Sequence, residues 1–493
     1  MNKPSNIKDL LFGDLWEYSP APQGTDFVEL DERYGHFIGG EFILPDDEET
    51  EYFETINPAT EEPLAEVASA DAAMVDKAVE SARKAYDDYW KDMPSAERAK
   101  YIFRIGRMIK EKARELAVVE TMDGGKPIRE SRDVDIPLAA AHFFHYAGWA
   151  DKLEYAFPGA TPNSIGVAGQ IIPWNFPLLM AAWKIAPALA TGNTIVLKPA
   201  ETTPLTSMLL AKIIQAAGLP PGVVNFVNGA GATGAAIVEH DDIDKIAFTG
   251  STEVGKIIQR SLAGSKKRLT LELGGKGANI IFEDAAIDQA VEGIIDGIFF
   301  NQGHVCCAGS RLLVQESIEK EVITKLEHRY STLRVGDPLD KNTDIGAINS
   351  KEQLDKIQEL VDAGVEEGAN MVQSKCDMPD TGYFFRPTFF TDVTPSHRIA
   401  REEIFGPVLS VMTFRTPEEA VEKANNTPYG LANGVWSDKG SKLFKIAGAL
   451  KSGVVWGNTY NQFDPASPFG GYRESGFGRE GGRQGLLPYL DLE

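Results

Sequence analysis

Cysteine is nearly absent from this chain: there are three in 493 residues, Cys306, Cys307 and Cys376, and two of them are neighbours. Such a set cannot build the disulfide framework of a small secreted scaffold, so a reducing compartment, by default the cytoplasm, is expected. Long apolar runs are also missing. The most apolar stretch, Leu178 to Leu197, is interrupted by Lys184 and Pro187, so no membrane span is expected. The first residues carry no continuous apolar segment of the signal-peptide kind. Cations are in deficit, with 49 Lys and Arg against 72 Asp and Glu and a net charge of −23. Nucleic acid and anionic membrane surfaces are therefore disfavoured as partners, since both need clustered Lys and Arg. Low-complexity linkers and short-period repeats are absent as well.

What is present is an ordinary globular composition, 43% hydrophobic and 25% charged, over a length that predicts two or three domains. Residues 1–50 are polar and acidic, with an aromatic cluster at Trp16-Glu17-Tyr18, and read as an irregular surface arm. From Asp71 to about Leu116 the apolar spacing is helical: Ala78, Ala82 and Tyr86 share one face, and Ile102, Ile105, Met108 and Ile109 another. Residues 132–150 continue helical. From Ile165 strands alternate with helices: strands at 167–172, 194–197, 223–227 and 246–248, helices at 178–189, 205–217 and 252 to about 262. That alternation implies an α/β fold with a mostly parallel sheet covered on both faces. A second mixed run extends from about Leu269 to residue 458.

Three segments carry candidate chemistry. Cys306 follows Gly303-His304-Val305 in a Gly-bounded loop, where a thiol is placed as a nucleophile more readily than on an apolar face. Glu272, in Thr270-Leu271-Glu272-Leu273-Gly274-Gly275-Lys276, ends a strand before a Gly-Gly turn; it is either a general base in a cleft or a solvated edge carboxylate. Asn175, in Ile172-Pro173-Trp174-Asn175-Phe176-Pro177, lies between a strand and a helix; it is either an oxyanion donor or a structural Asn in a Pro-punctuated loop. A literal G-x-G-x-x-G, Gly229 to Gly234, follows a strand, but alone it is a weak signal.

Together these segments resemble the aldehyde dehydrogenase superfamily over roughly residues 35–485. The resemblance also rests on Leu197-Lys198-Pro199-Ala200-Glu201, Phe248-Thr249-Gly250-Ser251-Thr252, Glu402-Glu403-Ile404-Phe405-Gly406-Pro407-Val408 and Ser467-Pro468-Phe469-Gly470-Gly471. It implies a Rossmann-like dinucleotide-binding domain (1–150 and 165–271), an α/β catalytic thiol domain (272–458), and a reduced oligomerisation or bridging element (151–164 and 459–493). It further implies an NAD-dependent oxidation of an aldehyde to the acid. Cys306 would be the nucleophile, Asn175 and the Cys306 N–H the oxyanion donors, and Glu272 the base that activates water.

For the cofactor, the resemblance implies Ile171, Pro173, Trp174, Lys198, Glu201, Gly231, Gly234, Phe248, Thr249, Gly250, Ser251, Leu273, Gly274, Gln353, Lys356, Glu403 and Phe405. Lys198 and Glu201 would grip the adenosine ribose, and a carboxylate there repels a 2′-phosphate, which favours NAD over NADP. The tunnel would be lined by Phe176, Leu179, Met180, Trp183, Phe463 and Phe469. No Arg in that set awaits a second carboxylate, so an apolar or aromatic aldehyde of modest size is expected. No metal is implied.

The chain also departs from the family pattern. Position 304 is His where most relatives carry Gln or Glu; its ring could raise the thiolate fraction of Cys306, or only its backbone could matter. Residues 151–164 are few for the usual oligomerisation hairpin, and after Tyr489 the sequence has little room for the strand relatives add. These features look closest to the first module of family 16 enzymes. They predict a monomer or homodimer rather than a tetramer, or a subunit that pairs with a separately encoded partner. A CoA-acylating dehydrogenase is a further reading, which Glu272 opposes. Another is a catalytically reduced partner subunit, which the presence of Cys306, Asn175 and Glu272 together opposes.

Overall fold

The computed structural model describes residues 19–45 and 50–493; the Trp16-Glu17-Tyr18 cluster lies outside them. Two sheets organise the chain. The first has eight strands, and its centre is five parallel ones in the order Arg268–Glu272, Lys245–Thr249, Val167–Ile171, Thr194–Lys198 and Val224–Phe226. The central strands are buried on both faces, as β-branched and apolar runs in a covered parallel sheet require. From Val167–Ile171 the chain winds one way through two strands, then returns to its other side with Lys245–Thr249. That reversal opens a crevice beyond the carboxyl ends of these two neighbours, where open α/β sheets bind their ligands.

The second sheet has seven strands: Asn370–Gln373, Thr388–Thr391, Val408–Phe414, Arg311–Gln315, Ala278–Ile281, Ala432–Trp436 and Val454–Gly457. All pair in parallel except Asn370–Gln373. Glu272 is the last residue of a strand in the first sheet, and Ala278 the first of a strand in the second. The site therefore forms where the carboxyl edge of one sheet hands the chain to the amino edge of the other.

A helical layer completes the core. Ser95–Glu111 packs on Ile136–Ala150, which packs on Pro177–Ala190. Every residue of Pro177–Ala190 is buried, Lys184 included. The predicted helix at 205–217 ends at Ala216, and Gly218 adopts φ +71°, the left-handed conformation glycine tolerates best after a helix.

Two expectations need correction. The irregular arm predicted for residues 1–50 contains ordered strands. His36–Ile38 pairs antiparallel with Val224–Phe226 and Glu41–Ile43, extending the first sheet, and Arg33–Tyr34 joins a three-stranded sheet with Tyr52–Asn57 and Glu62–Ala68. Near Tyr489 a strand is present after all: Leu490–Leu492 pairs antiparallel with Pro162–Ser164. It is three residues long. Gly476–Phe477 pairs antiparallel with Arg268–Glu272 on the edge of the first sheet.

Candidate active site

Cys306, Asn175 and Glu272 line one cavity of about 180 Å³. Each reaches it from a different sheet-edge position. Glu272 ends a strand of the first sheet. Asn175 lies in the loop between Val167–Ile171 and the helix Pro177–Ala190. Cys306 follows the helix Ile287–Phe299 and precedes the strand Arg311–Gln315. The Cys306 side chain is half-buried, and its thiol is pushed well above the ordinary range by the neighbouring Cys307 thiol, by burial and by the Glu403 carboxylate. A thiol so placed rests in its protonated form. Cys307 also lines the cavity, 1% exposed, with its Sγ 3.7 Å from Asn461 Oδ1.

Asn175 donates from Nδ2 to the His304 carbonyl at 2.8 Å. The second hydrogen on that nitrogen is left for an oxyanion. Both Glu272 oxygens are buried with no hydrogen-bond partner among the described residues. Burial raises its pKa well above the ordinary carboxylate value; Glu480 raises it further, and Lys184 and Arg479 oppose the shift. A buried carboxylate with both oxygens unspent is poised to hold and deprotonate water.

All six expected tunnel residues line the same cavity. Trp183, Phe463 and Phe469 form an aromatic triangle, with ring centroids 5.4 to 6.4 Å apart. Phe176 stacks on Phe300 at 6.0 Å. Of the expected cofactor residues, Pro173, Trp174, Thr249, Gly250, Ser251, Leu273, Gly274, Gln353, Lys356, Glu403 and Phe405 line it too. The remaining six lie outside that lining. Among them Ile171, Lys198 and Gly234 cluster: a Cβ added to Gly234 would sit 3.5 Å from Lys198 Cε and 3.7 Å from Ile171 Cδ1. Lys198 Nζ donates to the carbonyls of Pro199 and Gly229 and meets Glu201 Oε2 at 3.4 Å. Phe248 is a buried strand residue. Gln353 spends its amide on the carbonyls of Ile404 and Phe405 at 3.0 and 2.9 Å. It thereby holds Phe405 in its left-handed conformation (φ +56°).

The residues fit a dinucleotide. The helix Thr252–Ser261 begins at the crevice with Ser251 as its cap and free N–H groups in its first turn, a natural seat for phosphate. Gly274 leaves space no side chain could share, because its Cβ would stand 2.2 Å from Glu403 Oε2. Nothing crowds Gly231, where an added Cβ meets no heavy atom within 4 Å.

His304 is not an ionic partner for the thiol. Its ring is 1% exposed, edge-on to Trp174 at 4.8 Å and nearly parallel to Phe405 at 5.8 Å. Burial, with Lys126 nearby, lowers its pKa to about 3, so the imidazole is neutral throughout the working pH range. His304→Gln should therefore leave the pH dependence of acylation unchanged; a displaced profile in pre-steady-state kinetics would restore the activating role.

Sequence reasoning missed the ion pair of Lys184 with Glu480, beside Glu272. Lys184 also donates to Thr249 Oγ1 at 2.7 Å. A lone Lys inside an all-apolar helix was the available signal, since a buried ammonium needs an anion. Its partner, 296 positions away, left no trace in the sequence.

Comparison with known proteins agrees with this geometry. A family model described as "Aldehyde dehydrogenase family" matches residues 44–493. The putative aldehyde dehydrogenase DhaS of Bacillus subtilis (strain 168) is 46% identical over 467 residues, covering 93% of this chain and 94% of that protein. Retinal dehydrogenase 2 of Homo sapiens is 46% identical over 455 residues, covering 90% of this chain and 88% of that protein. The structure of an aldehyde dehydrogenase from Bacillus cereus in complex with NAD+ superposes with a TM-score of 0.90 at 43% identity, over 94% of this chain and 98% of that one. These matches are to the family at large and do not single out the family 16 branch.

Proposed function

The chain belongs to the aldehyde dehydrogenase family and is an NAD-dependent oxidoreductase, and on that premise we propose which residues oxidise the aldehyde and which aldehydes they accept. The observation that carries the reading is the convergence of Cys306, Asn175 and Glu272 on one cavity with an apolar tunnel and a dinucleotide crevice.

Cys306 gives up its thiol proton to solvent, its thiolate adds to the aldehyde carbon, and the carbonyl oxygen becomes an oxyanion. Asn175 Nδ2 and the Cys306 N–H hold it; removing one such donor typically costs about 3 kcal/mol of transition-state stabilisation, so Asn175→Ala should slow acylation by ~10²–10³-fold. NAD, when bound, supplies the hydride acceptor and so leaves a thioester on Cys306. Glu272 takes a proton from water as that water attacks the thioester, which releases the acid and frees the thiolate. The Lys184–Glu480 pair lies next to Glu272, and the proton taken from water leaves Glu272 to solvent.

Lys198, Glu201, Gly231 and Gly234 take the adenosine end, Thr249, Gly250 and Ser251 the pyrophosphate, and Glu403 and Phe405 the nicotinamide riboside. The first sheet with its helices is the dinucleotide-binding unit, and the second sheet carries the thiol. The tunnel of Phe176, Leu179, Met180, Trp183, Phe463 and Phe469 takes an apolar or aromatic aldehyde. With three free thiols, the protein works in a reducing compartment, the cytoplasm. Among the described residues no helix is long and apolar enough to cross a membrane.

The test is direct. With NAD and a panel of aliphatic, aromatic and dicarboxylic-semialdehyde substrates, NADH should form fastest with the first two classes. Acyl-CoA release on adding CoA would favour the acylating reading, and absence of NADH from a folded sample would sink the proposal. A pairing of only three residues between Pro162–Ser164 and Leu490–Leu492 supports a monomer or homodimer; light scattering that shows a stable tetramer would overturn this.

A further inference from the structure

Three successive residues before the nucleophile, Asn301, Gln302 and Gly303, all have positive φ (49°, 53° and 78°). Two non-glycine residues in this conformation cost free energy, and such a turn persists only where its surroundings over-determine it. Gly303 is required there, because an added Cβ would stand 2.1 Å from the Gly406 carbonyl oxygen. Gln302 Nε2 donates to the Ala347 carbonyl at 3.0 Å. The tie at the start of the turn comes from a distant element. Asn301 N–H donates to Glu130 Oε2 at 2.8 Å, and Glu130, 6% exposed, sits in the single-turn helix Ile128–Glu130. The Asn301 side chain then donates from Nδ2 to the Asn175 carbonyl at 2.7 Å and approaches the His304 carbonyl at 3.4 Å. That His304 carbonyl is the same oxygen that accepts from Asn175 Nδ2. A continuous chain of hydrogen bonds thus runs from Glu130 through Asn301 to both ends of the oxyanion donor.

We infer that Glu130 is a positioning residue: through Asn301 it clamps the left-handed turn and aims the Asn175 amide at the carbonyl that Cys306 attacks. The inference rests on the roles proposed above for Asn175 and Cys306. It gives a task to a buried carboxylate that does not line the cavity. Around Glu130 stand Arg129, Asp135 and Lys126. Lys126 bonds Asp135 at 2.6 Å, faces Glu120 at 3.9 Å and lies over the Phe176 ring at 4.2 Å. The clamp is therefore anchored in a buried charge cluster that reaches the tunnel residue Phe176 through Lys126.

The clamp works by geometry, so an acceptor oxygen at position 130 is what matters. Glu130→Gln keeps one; Glu130→Ala removes it. Two readouts decide, the pre-steady-state NADH burst with an aromatic aldehyde and amide hydrogen exchange of residues 299–306 in the chain without ligands. Glu130→Ala should slow the burst by about 10²-fold, the usual penalty for a ~1 Å misplacement, with little change in KM for NAD, and should speed exchange in the turn. Glu130→Gln should restore both. Asn301→Ala, which keeps the main-chain contact to Glu130 but loses the donor to Asn175, should slow the burst as well, and it decides the matter if Glu130→Ala does not fold. Unchanged exchange in Glu130→Ala, a Gln variant as damaged as the Ala variant, or a wild-type burst in Asn301→Ala would each overturn the clamp. A wild-type chain that forms no NADH while its turn is protected, with that protection lost in Glu130→Ala, would sink the proposed function and leave the clamp standing.

Discussion

Replacing Cys306 by alanine should lower aldehyde oxidation by on the order of 10⁴-fold or more, because the nucleophile of a covalent route has no substitute. Cys307 lines the same cavity but should not stand in for it, because its side chain is buried and its sulfur faces Asn461. The loss should appear equally in the burst and in steady-state turnover, since no thioester forms. NAD binding, followed by quenching of protein fluorescence, should persist, because Trp174, Glu403 and Phe405 are untouched. The state of the thiol can be checked separately. With its pKa pushed well above the ordinary thiol range by the Cys307 thiol, burial and Glu403, Cys306 in the chain without ligands should alkylate slowly at neutral pH. The rate should keep rising with pH beyond the point where a free cysteine levels off, since only the thiolate reacts. Fast alkylation at neutral pH, read by mass spectrometry at Cys306, would show that the resting thiol is already activated and that the charges around it are misassigned.

Much of this site was legible because its parts are local. The alternation after Ile165 predicted the first sheet, and the helix expected at 178–189 is found at Pro177–Ala190, since a long run of buried positions leaves little choice of period. Cys306, Asn175 and Glu272 each sit in a short Gly- or Pro-bounded motif, so spacing along the chain was enough to single them out. The rest was hidden for physical reasons. The strands at His36–Ile38 and Glu41–Ile43 are three residues each, too short for a two-residue period to stand out from an acidic, polar stretch. Lys184 and Glu480, and Glu130 and Asn301, pair over 296 and 171 positions; a contact of that range is a property of the fold. For His304 the sequence left two roles open, because neighbours two apart in a loop need not bring their side chains together. The left-handed turn before it sends the imidazole against Trp174 and Phe405.

Glu272→Gln should separate the two halves of the reaction. In the proposed route acylation does not use the carboxylate, so the first turnover should still release NADH as a burst; hydrolysis does, so steady-state turnover should fall by ~10²–10⁴-fold, the range for a lost general base. The pH dependence follows from the direction of the shift. Glu272 serves as base only when ionised, and burial together with Glu480 raises its pKa well above the ordinary value of a glutamate. Turnover should therefore fall as pH is lowered through that raised value, on an acid limb above the ordinary carboxylate range, and the limb should vanish in the Gln variant. Glu480→Gln gives the control. It removes the carboxylate that disfavours ionisation of Glu272 and frees Lys184 from its partner; both changes favour the charged base. The acid limb should then move to lower pH while the burst is kept. A limb that stays in place in Glu480→Gln would mean that some other group titrates there, and a Glu272→Gln chain that turns over at the wild-type rate would remove Glu272 from the chemistry.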